Sequence, residues 1–348
     1  MPGWYAVHLM RSETLFFATS AALLTFAAVP HAGIYIPVPP VPGSIATTAF
    51  AIDDRNMIAG SYRDAAGTEH GFFGTLDGDY ASFDYGHNST GTQARGRAVD
   101  GSITGVAAAD GFAVGIEFFR KPNGKLLTFT QHRRPLDGIA QGINGFDTSV
   151  GDYSNTDGII GGYYGVAGSY HNDFNLQVRG WLQNSPRGIS EDNTVSGFFI
   201  DRRGAQHGFV QQDKFVQVVD YPDANAVATA LEDINRAGQA PGQWNDTAGN
   251  PHAFVLDMNT GTFTVLDPGD GSTFQQAWSI NGHGLVSLST SKGASFIFCP
   301  VAPKKCPQPG FERTDRHLHV APERLQPAGN SMRTLPPIRG ISKHGALQ

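Results

Sequence analysis

Gly60-Ser61-Tyr62-Arg63-Asp64-Ala65-Ala66-Gly67-Thr68-Glu69-His70-Gly71-Phe72 is the stretch that decides the fold, because it occurs three times. Gly197 to Phe209 repeats it with Phe199, Asp201, Gly204, His207 and Gly208 in the same places. Gly242 to Phe254 repeats it again with Trp244, Asp246, Gly249, His252 and Ala253. The shared pattern is Gly-x-aromatic-x-Asp-x-x-Gly-x-x-His-Gly/Ala-Phe. Self-similarity at a fixed spacing is the signature of a repeat architecture.

Working outward, an aliphatic residue followed by a small or polar pair marks the start of each unit. Ile52, Val99, Ile143, Ile189, Ile234 and Ile280 carry that mark, at spacings of 47, 44, 46, 45 and 46. Six units of about 45 residues thus fill Phe50 to Phe298. Unit one reads as four strand-like pieces, Thr48 to Ile52, Met57 to Tyr62, Gly71 to Leu76 and Tyr80 to Phe83. Asp64-x-x-Gly67 and Asp77-Gly78-Asp79 supply the turns between them. Four short strands per 45 residues is the blade of a propeller. The expected fold is an all-β, six-bladed β-propeller over residues 33–299.

Units two, three and six are irregular. Unit two is placed around Asp110-Gly111-Phe112, and unit three has Arg179-Gly180-Trp181 where His-Gly-Phe is expected. Unit six stops at Ser295 to Phe298 without a fourth strand. Either Gly33 to Val41 or Ile45 to Thr48 is expected to supply it, since an open ring leaves unpaired edges.

The units resemble the HAF repeats of predicted extracellular bacterial proteins. Gly142-Ile143-Asn144, Ile234-Asn235 and Ile280-Asn281 resemble the first element of that repeat, and His70-Gly71-Phe72, His207-Gly208-Phe209 and His252-Ala253-Phe254 the last. The resemblance covers about 250 residues of the 348. It implies export and carries no established catalytic role.

Composition agrees with an all-β chain. Gly makes up 43 of 348 residues, above the usual share of about 7%. Charged residues are 16%, against about 25% in ordinary domains. Asp and Gly favour turns over long helices. Leu15 to Val29 is an uncharged apolar run behind Arg11. Residues 1–32 are therefore expected to be a signal peptide cleaved near 27–32, with an uncleaved anchor as the alternative. Residues 300–348 hold eight Lys/Arg and three Asp/Glu and read as a basic, Pro-rich, disordered tail. The rest is strongly acidic, which argues against a nucleic-acid partner. The expected address is secreted, extracellular or periplasmic, with no stable membrane span after leader removal. Cys299 and Cys306 are the two cysteines, a local disulfide in an oxidising compartment or two free thiols.

No His-Glu-x-x-His, Gly-x-Ser-x-Gly or Gly-x-x-x-x-Gly-Lys-Ser/Thr motif is present, so no catalytic residue, cofactor or metal is expected. His70, His207 and His252 are expected to bond a neighbouring backbone group or an Asp turn, with convergence on a metal as the alternative. Asp64, Asp201 and Asp246 are expected to form turns. The insertion from Tyr163 to Val178 is aromatic and polar, and Tyr163, Tyr164, Tyr170, His171 and Asp173 are its candidate ligand contacts. The expected function is non-enzymatic: the propeller presents a binding surface whose specific role the sequence leaves open, with a glycan or an envelope protein as candidate partners. The alternatives are a propeller hydrolase or lyase acting on a polysaccharide or lactone, possible with metal assistance, and a structural component of the envelope.

Overall fold

The computed structural model describes residues 29–30, 33–86, 89–109, 115–128, 137–154, 160–166, 171–267, 274–291, 293–300 and 306–307. The expected leader, apart from Val29–Pro30, and nearly all of the expected tail lie outside them, as does Tyr170. Contacts divide the chain into Met1–Phe311 and Glu312–Gln348, and the second unit also lies outside.

The described residues contain strands and turns and no helix. After β1 (Val29–Pro30) and β2 (Ile34–Pro37), the strands run in successive groups. The first is β3 (Ala46–Ile52), β4 (Met57–Arg63), β5 (Glu69–Thr75) and β6 (Tyr80–Phe83). The second is β7 (Ser89–Arg97), β8 (Ile103–Ala109), β9 (Ile116–Arg120) and β10 (Leu126–Thr128). The third is β11 (Asp137–Ile143), β12 (Thr148–Ser154), β13 (Ile160–Val166) and β14 (His171–Asp173). The fourth is β15 (Trp181–Ile189), β16 (Val195–Asp201), β17 (Gln206–Gln212) and β18 (Phe215–Val219). The fifth is β19 (Ala228–Leu231), β20 (Gln239–Asn245), β21 (Pro251–Asp257) and β22 (Thr262–Val265). The last is β23 (Phe274–Ile280), β24 (Val286–Thr290) and β25 (Ser295–Cys299). Within each group, consecutive strands pair antiparallel.

The first hairpin of every group closes on the same turn. The N–H of the fourth turn residue donates to the first carbonyl, as Asn56 does to Asp53 (2.9 Å), Asp147 to Asn144 (3.2 Å) and Gly284 to Asn281 (3.0 Å). That fourth residue is left-handed in all six groups: Asn56, Gly101, Asp147, Asn193, Gly238 and Gly284. Only Gly, Asn and Asp occupy it, the residues that tolerate positive φ. These turns begin at Asp53, Ala98, Asn144, Ser190, Asn235 and Asn281. The unit-two equivalent of Ile52 is therefore Arg97, not Val99. Val99 lies within the turn itself and is 39% exposed.

A second feature recurs one strand further out. Gly60, Gly105, Gly151, Gly197 and Gly242 each sit opposite an aromatic ring on the next strand, respectively Phe72, Phe118, Tyr163, Phe209 and Phe254. A Cβ at any of them would lie 1.9–2.3 Å from a carbonyl oxygen of the inner strand and at most 3.0 Å from the ring. The glycine lets the ring lie flat across the sheet, and all five rings are completely buried. Tyr163 thus stands where Phe stands in the regular units. Trp181 opens β15 in the next group, and the core ring of unit two is Phe118, beyond Asp110–Phe112, which lies outside the described residues.

The hydrophobic core is split into six clusters, one at each junction between neighbouring groups. Ile103 and Phe118 meet Ala51 and Ala59; Tyr163 meets Phe119; Val150 and Phe174 meet Phe209. Val219 and Tyr221 meet Leu231 and Phe254, and Ala253 and Leu266 meet Phe274 and Val286. The sixth joins Ile297 and Leu285 of the last group to Ile58 and Phe72 of the first. Burying such a side chain contributes about 1.5–3 kcal/mol. Of the two N-terminal segments, Ile34–Pro37 pairs with β25, with Ile36 opposite Ile297. Cys299 and Cys306 are joined as a disulfide with Cα atoms 5.9 Å apart, and both are buried in the sixth cluster.

Candidate binding site at the axis

The first strand of each group carries one irregular position near its end. The pairing skips Phe50 in β3, Arg95 in β7, Gln141 in β11, Arg187 in β15 and Trp278 in β23. Glu232, just past β19, holds the matching place, its N–H bonded to the Pro241 carbonyl (2.9 Å). A β-bulge re-aims the extra side chain and leaves it free of the ladder. Five of these six residues, all but Phe50, line one cavity of about 600 Å³, together with the turns that begin at Asp53, Ala98, Ser190, Asn235 and Asn281.

The bulge residues are mutually organised. Arg95 donates through Nε (3.2 Å) and Nη2 (3.1 Å) to Gln141 Oε1. Gln141 Nε2 donates to Asp152 (3.3 Å), which also accepts from Ser185 (2.7 Å). The Arg95 guanidinium lies 4.4 Å from the centre of the Phe50 ring and 4.7 Å from that of Trp278, and these two rings meet edge to face at 4.9 Å. Such cation–π contacts offset part of the cost of removing the charge from bulk water. On the other side, Arg187 Nε lies 3.9 Å from Glu232, and Glu232 accepts from Gln276 (2.8 Å). Burial, reinforced by the charge of Arg187, brings Arg95 down to about 10, so it stays cationic at neutral pH.

The other carboxylates around the cavity are committed. Asp53 accepts from Arg97 Nε (2.9 Å) and from the N–H groups of Arg55 and Met57. Asp233 accepts from the N–H groups of Ile234 (2.8 Å) and Ile280 (3.0 Å), and burial raises its carboxyl to about 6 despite those bonds. Glu191 accepts from Gly145 N–H, and Asp54 from Gly282 N–H.

Asparagines of the Ile-Asn element stitch neighbouring groups together. Asn144 Nδ2 donates to the Ser190 carbonyl (3.1 Å), Asn235 to that of Asn281 (3.0 Å) and Asn281 to that of Asp53 (3.0 Å). The last bond links the final group to the first.

The repeated histidines lie at the other end of the strands, beside the hairpin that joins the second and third strands of each group. His70 Nδ1 is 2.9 Å from Asp84 and Nε2 3.4 Å from Asp64, and the ring stacks on Tyr62 at 5.0 Å. His207 lies 2.7 Å from Asp220 and 3.7 Å from Asp201, stacked on Phe199. His252 lies 3.2 Å from Asp246 and stacks on Trp244. Each histidine engages its own unit's acid, and the described residues contain no His/Cys/Asp/Glu group able to hold a metal. Asp64, Asp201 and Asp246 accept from Thr68, Ala205 and Asn250 N–H while Gly67, Gly204 and Gly249 turn left-handed. Backbone donors hold Asp64 and Asp201 below the usual carboxylate range, and Asn250 brings Asp246 to about 2.

Among the unit-three candidates, the described side chains are those of Tyr163, Tyr164 and Asp173. Tyr163 is fully buried beside Glu117, Ser149 and Asp152, so it cannot touch a ligand from outside. Burial, with Asp152 nearby, raises Glu117 to about 8. Tyr164 packs against a core cluster. Asp173 is exposed and accepts from Tyr153 (2.7 Å). His171 lies in β14.

Sequence reasoning missed the axial residues. The signal was a column two places before the unit mark, reading Phe50, Arg95, Gln141, Arg187, Glu232 and Trp278, whose chemistry changes while its neighbours repeat. Taking Val99 as the mark moved that column in unit two.

Repeated antiparallel sheets with an axial cavity define a β-propeller. No family model matches the chain, and no curated protein matches it. Among solved structures it is similar to TolB from Acinetobacter baumannii, at 14% identity and TM-score 0.49, over 70% of this chain and 63% of that one. This chain thus spans less than two thirds of that TolB. It is also similar to a gluconolactonase from Xanthomonas campestris, at 10% identity and TM-score 0.45, over 77% and 89% of the two chains. A third is the β-propeller domain of the Trilobed protease from Pyrococcus furiosus, at 9% identity and TM-score 0.44, over 72% and 93%. Among the described residues no helix is long and apolar enough to cross a membrane.

Proposed function

We propose that the chain is an exported, six-bladed propeller of HAF type that binds a small molecule in its axial cavity without transforming it. The observation that carries this reading is the bulge, repeated in the first strand of five groups and matched by Glu232 in the other. Each group thereby turns one side chain off its ladder at the axis. A cavity of about 600 Å³ falls in the range of small-molecule sites, about 300–1,000 Å³. The closed, six-bladed reading is supported by the six junction clusters, by β2 completing the last sheet, and by the Asn281–Asp53 bond.

Hydrolysis or lysis of a polysaccharide or lactone is the weaker reading. It needs carboxylates free to exchange protons or bind a metal. Here Asp53, Asp54, Glu191 and Asp233 are held by donors, and Glu232 by Gln276 and Arg187. The address outside the cytoplasm rests on the leader-like run and on the Cys299–Cys306 bond.

The test is a thermal-shift screen of the full chain against neutral sugars, sugar acids and divalent metals, followed with Trp278 fluorescence. A saturable rise in Tm, with a change in emission lost in Trp278→Phe, supports axial binding. A rise unchanged in Trp278→Phe and in Gln141→Ala moves the site elsewhere. Turnover of any bound compound overturns the non-enzymatic reading.

A further inference from the structure

We propose that the axial cavity takes a small organic acid, whose carboxylate is held by Arg95 with Arg187 across the cavity. This rests on the axial-binding reading above and adds the class of ligand.

At the level of the bulges the axis presents two guanidinium groups, Arg95 and Arg187, and one carboxylate, Glu232. Nearer the turns, Asp53 pairs with Arg97, while Asp54, Glu191 and Asp233 accept backbone N–H bonds, which do not neutralise a carboxylate; among the described residues none of these acids forms an ion pair with Arg95.

Arg95 is the cation left over. Its two donated bonds go to one neutral oxygen, Gln141 Oε1, and among the described residues it forms no ion pair with a carboxylate. Gln141 cannot swing away, because its amide nitrogen is engaged by Asp152. Phe50 and Trp278 hold the guanidinium plane. A fixed fork with donors to spare is the geometry that recognises a carboxylate. Arg187 is incompletely paired too. Its Nε is buried without a hydrogen bond and lies 3.9 Å from Glu232.

A guanidinium withdrawn from water without a carboxylate in contact is costly unless another group supplies one, and Glu232, Asp152 and Glu69 act on Arg95 only through space. Both arginines line a cavity large enough for a ligand of sugar-acid size. The aromatic faces are already used by Arg95, so the charge governs selection.

The experiment is titration calorimetry on the full chain with three carboxylates, acetate, glucuronate and citrate, each set against its uncharged amide. The expected result is saturable binding of at least one acid, at least tenfold tighter than its amide, weakened by added NaCl. Arg95→Met is expected to abolish that preference, and Arg95→Lys to keep part of it. Should Arg95→Met fail to fold, the acid-against-amide comparison on the unaltered chain still decides. Equal affinity for acid and amide, or an acid preference unchanged in a folded Arg95→Met, overturns the inference. Binding of neutral sugars that changes Trp278 emission, without binding of any acid, overturns the inference alone and leaves axial binding standing. Absence of binding by acids and neutral sugars alike overturns both.

Discussion

The glycine–aromatic layer and the bulge layer lie only a strand apart, yet they follow opposite rules. In the first, the same pair recurs from Gly60–Phe72 to Gly242–Phe254, with Gly151–Tyr163 the only change of ring. In the second, no pattern repeats: Phe50, Arg95, Gln141, Arg187, Glu232 and Trp278 span aromatic, cationic, neutral and anionic groups. In these five groups the outer layer meets the same steric demand and answers it with a glycine beneath a ring, whereas the last group places Leu288 between Ala277 and Phe296 instead. Five of the six residues of the bulge column meet at one cavity, and the chemistry there is set by what they do together.

The sharpest way to break this comparison is Gly105→Val. Its Cβ would stand 1.9 Å from the Gln93 carbonyl oxygen, which backbone cannot yield. We expect loss of about 4 kcal/mol or failure to fold, measured by urea unfolding. A cost below about 1 kcal/mol would mean that the layer is not a steric frame.

Tyr163 tests the layer where it departs from Phe. Its hydroxyl brings the buried Glu117 into the layer, with a carboxyl raised by burial and Asp152 to about 8. A carboxyl whose folded pKa is raised contributes stability below its unfolded value of about 4.3. That contribution is lost as pH rises through about 8. Stability should therefore fall between pH 5 and pH 8, by an amount on the order of 3 kcal/mol. Glu117→Gln should flatten the profile. Parallel profiles for the two proteins would remove Glu117 as the cause.

Smaller again is Asn281→Ala, which removes the bonds donated by Asn281 to the Asp53 carbonyl and to Asn56, and two accepted turn bonds. The expected cost is about 1–2 kcal/mol, read as a lower urea midpoint. Asn144→Ala removes the matching link between units three and four and should cost a similar amount. A much larger loss at Asn281 would show that the junction of the last and first groups is the weakest.

The smallest effect lies at the histidine end. Partial burial lowers the His70 pKa, but Asp84 and Asp64 outweigh it and leave it raised. The imidazolium therefore contributes below about pH 6.5 and ceases to do so as pH rises through the raised value. His70→Gln should reduce Tm by a degree or two at pH 5.5 and leave it unchanged at pH 8. Equal shifts at both would assign the effect to the Tyr62 stack instead of the charge.

Much of the frame was legible in the sequence because it is periodic. The four pieces read in unit one fall within two residues of β3 to β6. Unit three misled because Tyr163 replaces Phe and Gly161 replaces His, so Trp181 offered a better match to the motif although it begins the next inner strand. The axial residues were hidden for the opposite reason. A bulge is set by pairing across strands and leaves no local motif, and a column of unlike residues looks like noise until the strands align it.

The pairing of Ile36 with Ile297 carries a kinetic cost. Almost the whole chain must be made before β2 finds its partner, whereas the other groups, apart from the two-residue β1 beside β22, assemble from neighbours in sequence. Contacts of such long reach form slowly, because the entropy of closing the loop is lost before the contact is gained. The junction of first and last groups is thus expected to form last in folding and to be the first to open under load. The Cys299–Cys306 bond closes only a local loop behind β25, so the seam itself is held by strand pairing and by the packing of the sixth cluster.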